Sequence, residues 1–183
     1  MNCYGAKDIA DAFRTVRKNT ITIAEEIGEQ HYGFQPTPDT RTVAQQLVHI
    51  ALITRFQLQI QEVEKRTTMV GFDFLAFRAG LIAEDSKPRN KAEIVALLKS
   101  EGDRFASWVE TLSDDFLAQR VSMPPGAQPD SKSRFELLLG TKEHEMHHRG
   151  QLMLIERMLG IVPHLTREFQ ARMAAMQAAK SSA

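Results

Sequence analysis

Four long stretches of this chain repeat apolar side chains at the helical interval, and no stretch alternates them at the two-residue interval of a half-buried strand. Such a chain buries its apolar surface by packing helix on helix. The first stretch runs from about Ala6 to Gly28, with Ile9, Phe13, Val16, Ile23 and Ile27 on the repeat and Gly28 as a stop signal. The second, about Thr42 to Thr67, carries the stripe His49, Ile53, Phe56, Ile60 and Val63. The third, about Lys91 to Leu112, carries Ile94, Leu97, Leu98, Phe105, Trp108, Val109 and Leu112. The fourth runs from about Arg134 to Leu159 and ends at Gly160, with Pro163 beyond. The fold class expected is all-α, a four-helix bundle with additions.

Capping signals support three of the starts. Thr42 with Gln45, Asn90 with Glu93, and Ser133 with Glu136 each pair a short polar residue with a longer one three positions on. That spacing satisfies two otherwise unpaired backbone N–H groups reciprocally. Between the stretches, residues 68–88 are mixed in character, with a short helix expected at Phe74 to Ile82. Residues 122–130 are rich in Pro and Gly and cannot be helix interior. After Pro163, a short terminal helix is expected over Thr166 to Met176, within a small-residue tail from Ala171 to Ala183. The organisation expected is one domain over 1–183, with the bundle at about 6–160 and an extension at 164–183.

The 183 residues carry 23 basic and 23 acidic side chains, so a nucleic-acid partner, which usually demands a basic excess, is not expected. No run approaches the roughly 18 apolar residues of a membrane span, and the first residues lack a secretory pattern, so the expected compartment is the cytoplasm. Cys3 is the single cysteine and reads as an incidental thiol, which excludes a disulfide framework and a thiolate metal cage. Trp108, the phenylalanines and the eight methionines read as core.

Chemistry concentrates in the run Glu143-His144-Glu145-Met146-His147-His148-Arg149-Gly150-Gln151. At 100° per residue, His148 lies about 40° from His144 and Gln151 about 20° to the other side. Leu137, Gly140, Thr141 and Ile155 fall on the same strip, which should face the bundle, while His147 lies about 60° off it. A lone histidine there would be a hydrogen-bonded core residue. An i,i+4 pair instead matches a single-ion chelate on one helix, because neutral imidazole is the commonest metal ligand. His49, the polar member of an otherwise apolar stripe, is the natural third donor if the two helices face each other. Gln151 and His147 would stand behind the ligands. His31 and His164 fall in expected loops and read as solvated, and Arg149 reads as a surface or interhelix ion pair.

Two other metal patterns overlap this window. His144-Glu145-Met146-His147-His148 is formally H-E-x-x-H, the zinc-peptidase signature, with Glu168 twenty residues on as its third ligand. Against it, no strand is visible to hold an extended peptide. A di-iron bundle needs two Glu-x-x-His pairs. Glu145 and His148 supply one, but Gln46, Gly28 and Ile161 precede His49, His31 and His164, so the second is missing.

The run from His144 to Gln151, the following hydrophobic helix and Gly160-Ile161-Val162-Pro163 together resemble the DinB-like (YfiT-like) metalloenzyme superfamily. Arg41-Thr42-Val43 and Leu47-Val48-His49-Ile50-Ala51 resemble that family's first ligand segment. The resemblance implies an up-down-down-up four-helix bundle, often a homodimer, with one divalent ion held by His49, His144 and His148. It also implies a small-molecule substrate and, in some relatives, a low-molecular-weight thiol as cosubstrate. The chemistry expected is Lewis-acid transfer or hydrolysis, with catalytic side chains unassigned; the alternative is an ion that only staples the helices. Zinc, nickel and iron all suit imidazole donors.

Overall fold

The computed structural model describes residues 4–181; the Cys3 reading lies outside them. Its bundle helices are α1 (Ala6–Glu26), α2 (Val43–Leu52) continued by α3 (Thr54–Gln57) and a π-helical segment (Leu58–Val63), then α5 (Lys91–Glu110) and α7 (Arg134–Met158). A helix α4 (Phe74–Asp85) lies in the long connection, α6 (Asp114–Ala118) follows α5, and α8 (His164–Ser181) extends from the bundle. The three expected capping boxes are present. Thr42 Oγ1 accepts from Gln45 N at 3.2 Å, Asn90 Oδ1 from Glu93 N at 2.9 Å, and Ser133 Oγ from Glu136 N at 3.1 Å.

Hydrogen bonds at the helix ends give the topology. Ala44 N donates to Tyr32 O, and the Tyr32 hydroxyl donates to Ala24 O at 2.7 Å, so α2 begins where α1 ends. Lys91 Nζ donates to Glu25 O and Ile27 O, so α5 begins there as well. Both helices therefore run antiparallel to α1 and parallel to each other, and the connection through α4 is the crossover that parallel neighbours need. Arg134 donates to Arg66 O at the far end, so α7 returns alongside α1. The result is the up-down-down-up four-helix bundle.

Two apolar clusters fill the bundle. One gathers Ile23, Ile27, Leu47, Ile50, Ile94, Leu98 and Leu152; the other gathers Ile9, Phe13, Leu58, Phe105, Val109 and Leu138. The Arg17–Glu145 pair bridges helices α1 and α7. Arg17 Nε donates to Glu145 Oε1 at 2.9 Å, its remaining nitrogens reach Glu145 Oε2, Leu98 O and Ile50 O, and Thr20 donates to Glu145 Oε1 at 2.8 Å. Gly102 on α5 makes room for this pair, since a Cβ there would meet Arg17 Cγ at 2.9 Å.

Several expectations are corrected. A three-residue hairpin joins Arg120–Ser122 to Ser131–Ser133, too short for alternation to register in sequence. The second stretch is not one straight helix. Its π-helical turn, where Glu64 N bonds Gln59 O, takes one more residue per turn and rotates the face. Hence Ile60 is buried while Val63 is 61% exposed, although both sat on one expected stripe. Helix α8 is longer than expected and leaves Phe169, Met173 and Met176 exposed, and Met146 and Met158 are exposed on α7, so the aromatic and methionine residues are not all core. His164 is 5% exposed rather than solvated, with Nε2 3.5 Å from Asn19 Oδ1.

Glu156 is fully buried with neither carboxylate oxygen hydrogen-bonded. Burial first, and Glu26 second, push its pKa up to about 7. The folded state therefore keeps a proton that the unfolded chain releases near pH 4.5. Stability should be full below that pH, fall as the pH rises to about 7, and level off above. Glu156→Gln should remove this decline, gaining on the order of 2 kcal/mol at pH 8 and little at pH 4.5 in urea unfolding.

Candidate metal centre

The strip read on α7 is only partly core: Thr141, His148 and Ile155 are buried, Ile155 within the apolar cluster, and Leu138, Glu145 and Leu152 complete the buried side one step round the helix. The strip of Leu137, Gly140, Thr141 and His144 also walls a cavity of about 420 Å³, roofed by α4 and closed on the other side by His49, Ile53 and Phe56 of the second stretch. Farther along, His148, Gln151 and Ile155 wall a second cavity of about 550 Å³. Both expected stripes thus border cavities over part of their length, where α4 covers the space between α2 and α7.

His49, His144 and His148 meet between the two cavities. Each offers a ring nitrogen, and the three nitrogens lie within 4.8 Å of one another. His144 Nε2 is 3.3 Å from His49 Nε2 and 3.2 Å from His148 Nε2. Burial, the largest cause in each case, holds His49 down at about 3 and His144 at about 4, and lowers His148 as well. All three are therefore neutral at pH 7, the form in which imidazole binds metal.

Their hydrogen bonding fits a cation better than it fits a self-contained cluster. His148 Nδ1 lies 2.8 Å from Gln151 Oε1 and 2.5 Å from Gln46 Nε2; the tautomer that donates to the Gln151 oxygen is the one that leaves Nε2 free to face a cation. Gln46 Nε2 donates to the same Gln151 oxygen at 2.7 Å and braces it. His144 Nδ1 is buried without a partner, and the one proton its Nε2 could carry cannot satisfy both neighbouring rings. Tetrahedral zinc with Zn–N of about 2.0–2.1 Å separates its donors by about 3.3 Å, which the two observed separations match.

Behind His49, Asp85 Oδ2 lies 3.8 Å from Nδ1. With His49 neutral this is no ion pair, and the distance exceeds a hydrogen bond, but the carboxylate occupies the side from which metal-bound imidazoles are usually oriented. Burial raises the Asp85 pKa, and its Oδ1 has no hydrogen-bond partner. Asp85 and Gln46 escaped the sequence reading. Asp85 carried no signal beyond being an acid at the end of an apolar segment, and Gln46 sits within the second stretch without a periodic mark.

The other candidates separate clearly. His147 is exposed and accepts from Gln151 Nε2 at 3.2 Å, so it stands behind Gln151, on the flank. Glu145 is turned away from the three histidines, with its carboxylate held by Arg17 and Thr20. Glu168 is exposed on α8 and belongs to no ligand cluster among the described residues. His31 sits in a 3-10 turn outside the cluster. Arg149 makes no ion pair among the described residues, and its Nε is buried without a partner.

A four-helix bundle in which two helices carry three converging neutral imidazoles defines a protein able to hold one divalent ion. The family model of the DinB superfamily matches residues 12–152, and the chain belongs to that superfamily. It is 22% identical over 157 residues to the uncharacterized protein YjoA of Bacillus subtilis (strain 168), covering 85% of this chain and 91% of that one. The crystal structure of YjoA, a DinB-like protein, superposes with a TM-score of 0.60 at 19% identity, over 83% of this chain and 92% of that one. YfiT of Bacillus subtilis, described as a probable metal-dependent hydrolase with an unusual four-helix bundle topology, gives 0.66 at 17% identity over 85% and 88%. An uncharacterized protein of Clostridium difficile 630 gives 0.66 at 13% identity over 86% and 98%. No helix among the described residues is long and apolar enough to cross a membrane.

Proposed function

We propose that the protein is a metal-dependent enzyme acting on a small molecule, with one divalent ion held by His49, His144 and His148. The observation that carries this reading is the convergence of three neutral imidazole nitrogens where two cavities meet. When bound, the ion would supply Lewis acidity, acidifying a nucleophile or polarising an electrophile. Gln151 Oε1, as an acceptor beside Nδ1, favours the His148 tautomer that keeps its Nε2 bare. Phe56, Phe77 and Leu81 give the cavity under α4 an apolar lining that limits water.

Hydrolysis is the reading put first, in line with the description of YfiT; transfer to a low-molecular-weight thiol is the second. A three-histidine donor set leaves positions open, which separates either reading from an ion that only staples helices. The same reading takes the chain to pair as a homodimer, for which Phe169, Met173 and Met176 on one face of α8 offer an apolar stripe.

Untagged protein should carry close to one zinc, nickel or iron per chain by elemental analysis. X-ray absorption should show three nitrogen donors plus non-protein ligands. Ester hydrolysis, or thiol conjugation, should be lost on chelation and return with added metal. A shell closed by a fourth protein donor, or protein that neither carries nor takes up an ion, would overturn the reading.

A further inference from the structure

Arg41, the residue before the α2 cap, lines both cavities and so stands where they meet at the histidines. It is half-buried, and among the described residues it makes no hydrogen bond or ion pair. Its charge is nevertheless felt at His49, His144, His148 and Asp85. A guanidinium with five donors held unpaired beside a cation-binding cluster is an arrangement that calls for an anion.

The charge around it points the same way. The donor set is neutral, so a bound divalent ion would keep its full charge. The first cavity adds Arg41, Arg78 and Lys132 against Asp85 and Glu136. Glu136 is tied to the Ser133 cap, and Asp85 stands behind His49. Among the described residues no carboxylate forms an ion pair with Arg41, although its charge is felt at Asp85. Apart from the histidines, Gln57 and Thr141, the rest of the wall is apolar and aromatic, including Ile53, Phe56, Phe77 and Leu81, and its volume of about 420 Å³ suits a small molecule.

We infer that the substrate is an amphipathic anion whose apolar or aromatic body rests against Phe56, Phe77 and Leu81 while its carboxylate-like group is taken by Arg41. Arg41 is then a substrate-binding residue that sets which end of the molecule faces the histidines. This deepens the metal-enzyme reading and rests on it for the place of reaction, but the binding itself does not require the ion.

The test uses two probes of equal body, 4-phenylbutanoate and 4-phenylbutan-1-ol, titrated calorimetrically into zinc-loaded and chelator-treated protein. Wild type should bind the carboxylate about tenfold or more tightly than the alcohol in both forms, as a charge-assisted hydrogen bond warrants. Arg41→Gln should erase that preference while leaving alcohol binding and zinc uptake unchanged, which also shows that the variant is folded. Arg41→Lys should keep part of the preference, having the charge without the fork. A preference that survives Arg41→Gln assigns the anion to the ion alone and overturns the inference, as does equal binding of both probes or no binding of either. Failure of the metal reading is separate: zinc would not bind, and the chelator-treated arm alone would still support or overturn the role of Arg41.

Discussion

Glu145→Ala should cost about 3–5 kcal/mol of folding stability, because it leaves the Arg17 guanidinium charged and unpaired inside the bundle. For a chain of this length that lowers Tm by roughly 10 °C or more, readable by calorimetry. The cost lies in the orphaned partner rather than in the attraction lost. Accordingly, the double variant Arg17→Met with Glu145→Leu, which removes both charges and keeps the volume, should recover most of the loss. A double variant as unstable as Glu145→Ala would sink this account. The less drastic Glu145→Gln, where it folds, should bind zinc within about tenfold of wild type, since the carboxylate touches Arg17 and Thr20 and not the histidines. A zinc peptidase would behave the opposite way, losing turnover at unchanged stability.

His49→Ala should weaken zinc binding by on the order of 10²–10³-fold, the share of one ligand among those that hold a structural or catalytic ion. The readout is the thermal shift with added zinc. At a free concentration 100 times Kd, a bound ion adds about 2.7 kcal/mol, and the variant should show almost none of it at the same concentration. Without zinc the variant should melt close to wild type, because the three neutral rings give each other little in the ion's absence. Glu168→Ala, on the exposed side of α8, should leave zinc binding unchanged. If instead His49→Ala retains the shift and Glu168→Ala loses it, α8 must swing over the site and the peptidase geometry returns.

The helices were legible because each carries its own instructions. Thr42, Asn90 and Ser133 begin helices through bonds to residues three positions away, and Gly160 ends one at a φ of +78°. The His144–His148 pair was legible for the same reason, since one helical turn sets their separation. The π-helical turn at Leu58–Val63 was not. It arises where packing favours an extra residue per turn, and the apolar pattern before and after it looks continuous. The structural role of Glu145 was not legible either, because its partner, Arg17, lies 128 residues away and shares no local pattern with it.

The division follows from range. Local chemistry, acting over three or four residues, determined from sequence alone that this chain has four long helices, three of them opened by capping boxes, and that two imidazoles share one face of the last. Only the tertiary structure decided that this face borders cavities as well as the core, because α4 roofs the groove between α2 and α7. It likewise decided that His49 closes the cluster, that Asp85 stands behind it, and that Arg41 is left beside it with no hydrogen bond or ion pair among the described residues. Those juxtapositions depend on how parallel helices cross over and pack. Nothing in the spacing of side chains along one helix records which neighbour another helix will bring.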